Sequence, residues 1–256
     1  MQIRVLDASH GWRWITQGLA LFRQNPAQWA LLLGALFIGS RILLAIPYLG
    51  LLVVLVTPNF IAGLTHGAQA LEQGKPLRWG YLASGFLKNA GHLVTLGGVS
   101  LLGHFLMLLA MTTVAGDALS EIIATMNAGA VTEETMAAMR TAAPRLMLST
   151  LVGLGVVLPV LLAVWFAPML VFFDDLRPPR ALLASLWACM RNILPMLVYT
   201  IALLGPLLVL TQIGVAFTRQ PDVGIWLLSP VLVPSLYVSY RDIFVAQPPE
   251  ESATPQ

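Results

Sequence analysis

The sequence predicts an all-α integral membrane protein, with six transmembrane helices arranged as three hairpins, each preceded by a short amphipathic interfacial helix. Three observations carry this prediction. Hydrophobic residues make up 57% of the chain and charged residues only 10%, where soluble domains carry about 25% charged residues. The apolar residues gather in six long runs, near the ~20 residues a helix needs to cross roughly 30 Å of hydrocarbon. A helix-like segment ending in a cation and an asparagine precedes alternate runs. The net charge of +2 gives no electrostatic footing for nucleic acid. One cysteine, Cys189, excludes an intrachain disulfide. The first seven residues lack the basic-then-apolar pattern of a cleaved signal, so insertion is expected to use the first hydrophobic hairpin itself.

Residues 11–24 open the chain as a surface helix. Trp12, Ile15, Leu19 and Phe22 recur on one face, with Arg13, Gln17, Ala20 and Gln24 on the other. Indole rings favour a bilayer interface, so Trp12 and Trp14 place this helix there; the competing reading is a helix packed on protein. Pro26 fits the first turn of the next helix, where its missing N–H costs nothing. The first span covers 27–46. Arg41 stands near its far end and is expected to snorkel to the headgroups rather than form an intramembrane anion or gating site. The second span, 49–71, is interrupted at Thr57-Pro58-Asn59. Its Gly63 and Gly67 form a GxxxG surface for close helix contact. Thr65, Gln69 and Gln73 form a polar stripe, with His66 beside it, that is expected to face protein or water.

A polar linker at 72–76 leads to a second surface helix, 77–88, with Trp79, Leu82 and Phe86 on one face. The third span is 92–115, with Ser100 and His104 one turn apart. An insertion, 116–144, reads as two helices: Leu119, Ile122, Ile123 and Met126 mark the first, 127–130 is a turn, and Thr132 caps the second. Glu133 and Glu134 suit its first turn, Met136 and Met139 its apolar face, and Pro144 its end. The fourth span is 146–173, with Trp165 and Pro168 inside it and Asp174-Asp175 as a solvated stop. The third surface helix, 178–192, keeps Leu183, Trp187 and Met190 in period. The fifth span is 193–217 and the sixth, rimmed by Trp226, Tyr237 and Tyr240, is 223–245. Residues 1–246 thus read as one polytopic membrane domain, and 247–256 as a disordered tail.

Two features recur in register. Arg23-Gln24-Asn25, Lys88-Asn89 and Arg191-Asn192 close the surface helices, and Pro58, Pro168 and Pro230 fall inside the second helix of each hairpin. This suggests a triplicated unit. A proline inside a helix frees a carbonyl that is costly against lipid, so these kinked helices are expected to meet in the bundle interior. There they would line a polar cavity with Asn59, Thr65, His66, Gln69, Ser100 and His104. Trp12, Trp14, Phe22, Trp79, Phe86 and Trp187 are the expected interfacial residues.

The cations give an orientation. With the N-terminus in the cytoplasm, Arg4, Arg13, Arg23, Lys75, Arg78, Lys88, Arg177, Arg180, Arg191 and Arg241 lie on that side. Arg41, Arg140, Arg145 and Arg219 lie on the other. Positive charge is retained in the cytoplasm, so both termini are expected there and the insertion outside.

Ser9-His10-Gly11-Trp12-Arg13-Trp14, followed by Gly18-Leu19-Ala20-Leu21-Phe22 and Asn25-Pro26, resembles the opening of a family of uncharacterised bacterial inner-membrane proteins. Thr57-Pro58 and Gly85-Phe86 are similar too. The likeness is most specific before residue 95. More distantly, the hairpin plan resembles the membrane domain fused to some glycerophosphodiester phosphodiesterases, whose soluble domain and metal-binding motifs this chain lacks. The resemblance implies an integral fold of the inner membrane and no established activity.

No residues are assigned a catalytic or metal-ligating role, and no cofactor is expected. His10, His66, His92 and His104 form no HxxxH or HxxE pair, and a Walker loop, GxSxG, dinucleotide fingerprint and CxxC are all absent. The expected role is non-enzymatic: lipid organisation or a partner scaffold, with membrane lipids, another membrane protein or a second copy as partners and no nucleic acid. The alternative is a small transporter or channel subunit with its site between the proline-broken helices.

Overall fold

Within a bilayer each backbone polar group must be met inside the chain, which favours helices for apolar runs of this length. The computed structural model describes residues 3–116, 133–220 and 222–245. Ten helices form among them: α1 (Ser9–Gln24), α2 (Pro26–Leu44), α3 (Gly50–Glu72), α4 (Gly80–Leu87), α5 (Ala90–Ala115), α6 (Glu133–Trp165), α7 (Ala167–Phe173), α8 (Pro178–Arg191), α9 (Ile193–Thr218) and α10 (Val223–Phe244). No strand occurs among the described residues. Six stretches are long and apolar enough to cross a membrane: Pro26–Leu44, Gly50–Glu72, Ala90–Ala115, Arg140–Phe173, Ile193–Thr218 and Val223–Phe244. Only 17% to 50% of each apolar window is buried within the protein. Exposed apolar surface on that scale needs an apolar surround. The chain is an all-α, multi-pass membrane protein.

Contacts divide it into two units: residues 1–97 with 163–256, and residues 98–162. In the smaller unit α5 and α6 run antiparallel. Gly103 packs against Val160, and Gly153 against Met107 and Met111, the small residues allowing close approach.

In the larger unit the three surface helices follow one rule. Each packs on the second membrane helix of the preceding hairpin, and the first closes on the last. Thus α1 lies against α10 and α9, α4 against α3, and α8 against α7. Small residues make the approach possible. A methyl group on Gly18 would overlap the Ser235 backbone, and one on Gly85 the Asn59 carbonyl. Gly63 and Gly67, the predicted close-contact pair, receive α4 through Tyr81, Leu82 and Leu77. Asp7 starts α1 by accepting from the Ser9 amide at 2.8 Å and from the Ser9 hydroxyl. Those bonds hold its carboxyl down to about 2.

Several expectations change. Pro144 does not end a helix: α6 runs through both Pro144 and Pro159. A proline removes one hydrogen bond, and the carbonyl freed by Pro144 belongs to Arg140, which is exposed where water can meet it. Conversely, Pro168 is not inside a helix. The chain breaks at Phe166, and Pro168 sits in the first turn of α7, where proline is well tolerated. The Phe166 amide opened by the break donates to Ser185 Oγ of α8 at 2.9 Å. The expected first helix of the insertion, its turn and the Thr132 cap lie outside the described residues, as does the expected C-terminal tail.

Candidate functional site

The junction asparagines do different work at equivalent places. Asn25 caps α2, accepting the Gln28 amide at 3.4 Å. Asn89, in the left-handed region at φ 55°, donates to the Val171 carbonyl at 2.9 Å and to Asp175 at 2.7 Å. Asn192 is fully buried. It accepts the Leu6 amide at 2.9 Å and donates to the carbonyls of Arg4 at 2.9 Å and Ala188 at 3.0 Å. The segment before α1 is therefore tied to the α8–α9 junction. A further bond from the Arg4 amide to the Ile243 carbonyl, 3.0 Å, ties it to the end of α10.

Helix α3 packs against both α7 and α10, and aromatic rings of α7 and α10 meet beside it. Pro58 and Pro168 are buried and Pro230 half-buried. What fills the meeting place is aromatic. His66 lies 4.9 Å from Tyr81 and 5.2 Å from Phe172, Phe173 stacks at 5.4 Å on Tyr240, and Phe166 meets Phe244 at 5.5 Å. Polar groups close one end. Tyr237 donates to Glu72 and Tyr240 to Asp174, each at 2.6 Å. Arg241 pairs with Glu72, with Gln17 at 2.7 Å and with Asp242 at 2.8 Å. The expected solvated stop is exposed, and each acid also has a protein partner: Asp174 accepts the Tyr240 hydroxyl, and Asp175 takes Asn89 and Lys88. The hydrogen bond from Asn89, then Lys88, lowers the Asp175 carboxyl below its ordinary range.

Most of the candidate polar residues have partners within the protein, some on their own helix and some on a neighbouring one. Asn59 is fully buried, its amide donating to the Gly85 carbonyl at 2.9 Å and the Ala90 carbonyl at 3.4 Å; its Oδ1 has no partner among the described residues. Thr65 bonds back to Ile61 at 2.8 Å and Ala62 at 3.0 Å. His66 bonds Ser84 at 3.2 Å, and Gln69 is half-buried on the same helix. In the smaller unit, exposed His104 bonds the Ser100 carbonyl of its own helix at 2.6 Å.

Of the expected interfacial residues, Trp12, Trp79, Phe86 and Trp187 are exposed and Phe22 is half-buried. Trp14 is a correction: it is fully buried, edge-on to Tyr199 at 5.9 Å. Helix α1 has three sectors rather than two faces. Gly11, Trp14, Gly18 and Leu21 pack on protein, Ile15, Leu19 and Phe22 are half-buried, and the polar residues are exposed. Arg41, expected near the far end of its span, is partly exposed there. It does not reach out alone but pairs with Asp222 at 2.7 Å and Gln220 at 3.1 Å. Among the described residues no three His, Cys, Asp or Glu side chains gather as a metal site requires.

Sequence reasoning missed an apolar cavity in the larger unit. About 670 Å3 in volume, it lies between α2, α3 and α10, with Leu82 of α4 in its wall. Leu36, Phe60, Trp226 and their neighbours line it, and the hydroxyl side chains among the described lining residues are Ser40, Thr57 and Ser229. Their hydroxyls bond their own helix at Phe37, Val53 and Trp226. The wall therefore presents almost no hydrogen-bonding capacity. Gly39 in its wall has open space where a side chain would stand.

No family model matches this chain, and no solved structure does. A probable inner membrane protein of Burkholderia thailandensis is 26% identical over 197 residues, covering 75% of this chain and 71% of that protein. The likeness to bacterial inner-membrane proteins read from the sequence agrees with this relative.

Proposed function

We propose that this protein is a non-enzymatic, multi-pass component of the bacterial inner membrane that seats a lipid acyl chain in its apolar cavity and so organises lipid at its surface. The observation that carries the reading is the cavity itself: a ligand-sized space, within the roughly 300–1,000 Å3 typical of binding pockets, almost without polar groups and set among membrane-spanning helices. Polar solutes would lose their hydration there without replacement. The aromatic filling where α3, α7 and α10 meet favours this role over a transporter with a path between those helices. The ten-to-four distribution of cations supports a cytoplasmic location for both termini. Reporter fusions after Gln73 and Gln256 would then read as cytoplasmic.

The test is acyl-chain photocrosslinking in nanodiscs. A phospholipid with a photoreactive group in its tail should label peptides containing Val53–Ile61 and Ile225–Val233 in the native protein. Gly39→Phe, which places a ring in the open space, should suppress that labelling while leaving labelling at Ile201 unchanged. Undiminished labelling in Gly39→Phe would overturn the reading.

A further inference from the structure

A second, smaller cavity of about 120 Å3 opens where the segment before α1, α1 itself and the end of α10 come together. Its wall has a different chemistry. Arg4, His10, Arg13, Gln17, Arg241 and Asp242 line it, so three guanidinium groups face one carboxylate. That carboxylate is committed to Arg241, whose Nε lies at 3.1 Å and whose second terminal nitrogen lies at 2.8 Å. Arg241 is further committed to Glu72 and Gln17, and His10 faces Asp7 at 3.2 Å. Arg4 and Arg13 are different. Neither guanidinium has a hydrogen-bond or ion-pair partner among the described residues, although carboxylates stand nearby.

The backbone that presents these two arginines is fixed. The amide and carbonyl of Arg4 are held by Ile243 and Asn192, and Leu6 is held by Asn192. Arg13 projects from α1, which is locked on α10 through Gly18 and Ser235. Two guanidinium groups without a hydrogen-bond or ion-pair partner among the described residues are thus carried on anchored backbone beside a recess of about 120 Å3. Guanidinium forks match phosphate oxygens bidentately, and anchoring the backbone that carries them lowers part of the entropy lost on binding. The half-buried apolar residues Ile15 and Leu19 of the same helix suit the level of lipid headgroups.

We propose that Arg4 and Arg13, with His10 and Arg241 at the back of the recess, form a binding site for a phosphate group, either free phosphate or the phosphate of an anionic phospholipid. The site shares no residue with the apolar cavity and does not depend on how that cavity is filled.

Ligand-linked thermal stability tests it. The native protein, in neutral detergent, is melted in sodium phosphate and in sodium chloride of equal ionic strength, and separately in micelles doped with phosphatidylglycerol. At least one of the two phosphate probes should raise the melting temperature beyond its chloride or undoped control. The Arg4→Gln/Arg13→Gln variant should bind that probe about tenfold or more weaker, since each charge-assisted bond removed is a strong one. Its melting temperature without the probe should stay unchanged, because the two side chains have no partners to lose. Arg13→Lys, which keeps the charge and loses the fork, should fall between. A response to phosphate supports the site with free phosphate as a ligand, and a response to the lipid alone supports a headgroup site. No response to either probe, or the same response in the double Gln variant, would overturn the proposal.

Discussion

Replacing Asn192 by alanine should release the segment before α1 while leaving the helices in place. Asn192 makes two hydrogen bonds to that segment, accepting Leu6 N–H and donating to the Arg4 carbonyl, both at 2.9 Å. A net hydrogen bond contributes about 0.5–1.5 kcal/mol, so the two together contribute about 1–3 kcal/mol. At about 1.4 kcal/mol per tenfold, the open population should rise roughly 5- to 150-fold. The segment lies at the surface, with Val5 59% exposed, so its freed groups can turn to water and opening is the easy response. One tie would remain, from the Arg4 amide to Ile243. Helix α1 should stay docked, since its packing on α9 and α10 does not involve Asn192. Amide hydrogen exchange of the N-terminal peptide in detergent measures this directly. Asn25→Ala is the internal control: its side chain holds only the first turn of α2, a capping effect of roughly 0.5–2 kcal/mol, and exchange at Leu6 should not change. Unaltered exchange at Leu6 in Asn192→Ala, or an equal increase in Asn25→Ala, would refute the reasoning.

Two further predictions use other parts of the larger unit. Gly85→Val should lower the unfolding temperature in detergent, because its β-carbon would overlap the Asn59 carbonyl of α3 and overpacking costs about 1–3 kcal/mol; the same change at Gly80, which has open space, should have much less effect, and equal effects would show that α4 is not packed as described. Cys189 should resist a water-soluble maleimide at pH 8 until the protein is unfolded: burial pushes its thiol up to about 12, leaving about one thiolate in ten thousand at that pH, and rapid labelling of the folded protein would contradict the burial.

The spans were legible in the sequence because they depend on composition over many residues, which no single side chain can disguise. Ala90–Ala115 and Ile193–Thr218 start or end within two residues of the runs read at 92–115 and 193–217. Breaks were less legible because they are decided by partners distant in sequence. Pro144 and Pro168 look alike locally, yet a helix runs through one and restarts at the other. The restart depends on Ser185, nineteen residues away, taking the Phe166 amide. The surface helices show the same limit. Periodicity found an apolar face on α1 but could not distinguish the sector facing Ser235 from the one beside it, because Gly11 and Gly18 carry no hydrophobic signal. Their value lies in letting another backbone approach, which only the partner reveals. For the candidate sites the difficulty is greater still. An acyl chain is as apolar in the bilayer as in a protein cavity, so seating one requires shape and packing rather than a distinctive set of residues. Shape leaves almost no mark on composition, whereas binding a phosphate requires uncompensated charge. Arg4 and Arg13 were visible in the sequence as cations on one side of the membrane. Ties from distant residues, Asn192 and Ile243 holding Arg4 and Ser235 receiving α1 at Gly18, make them parts of one recess.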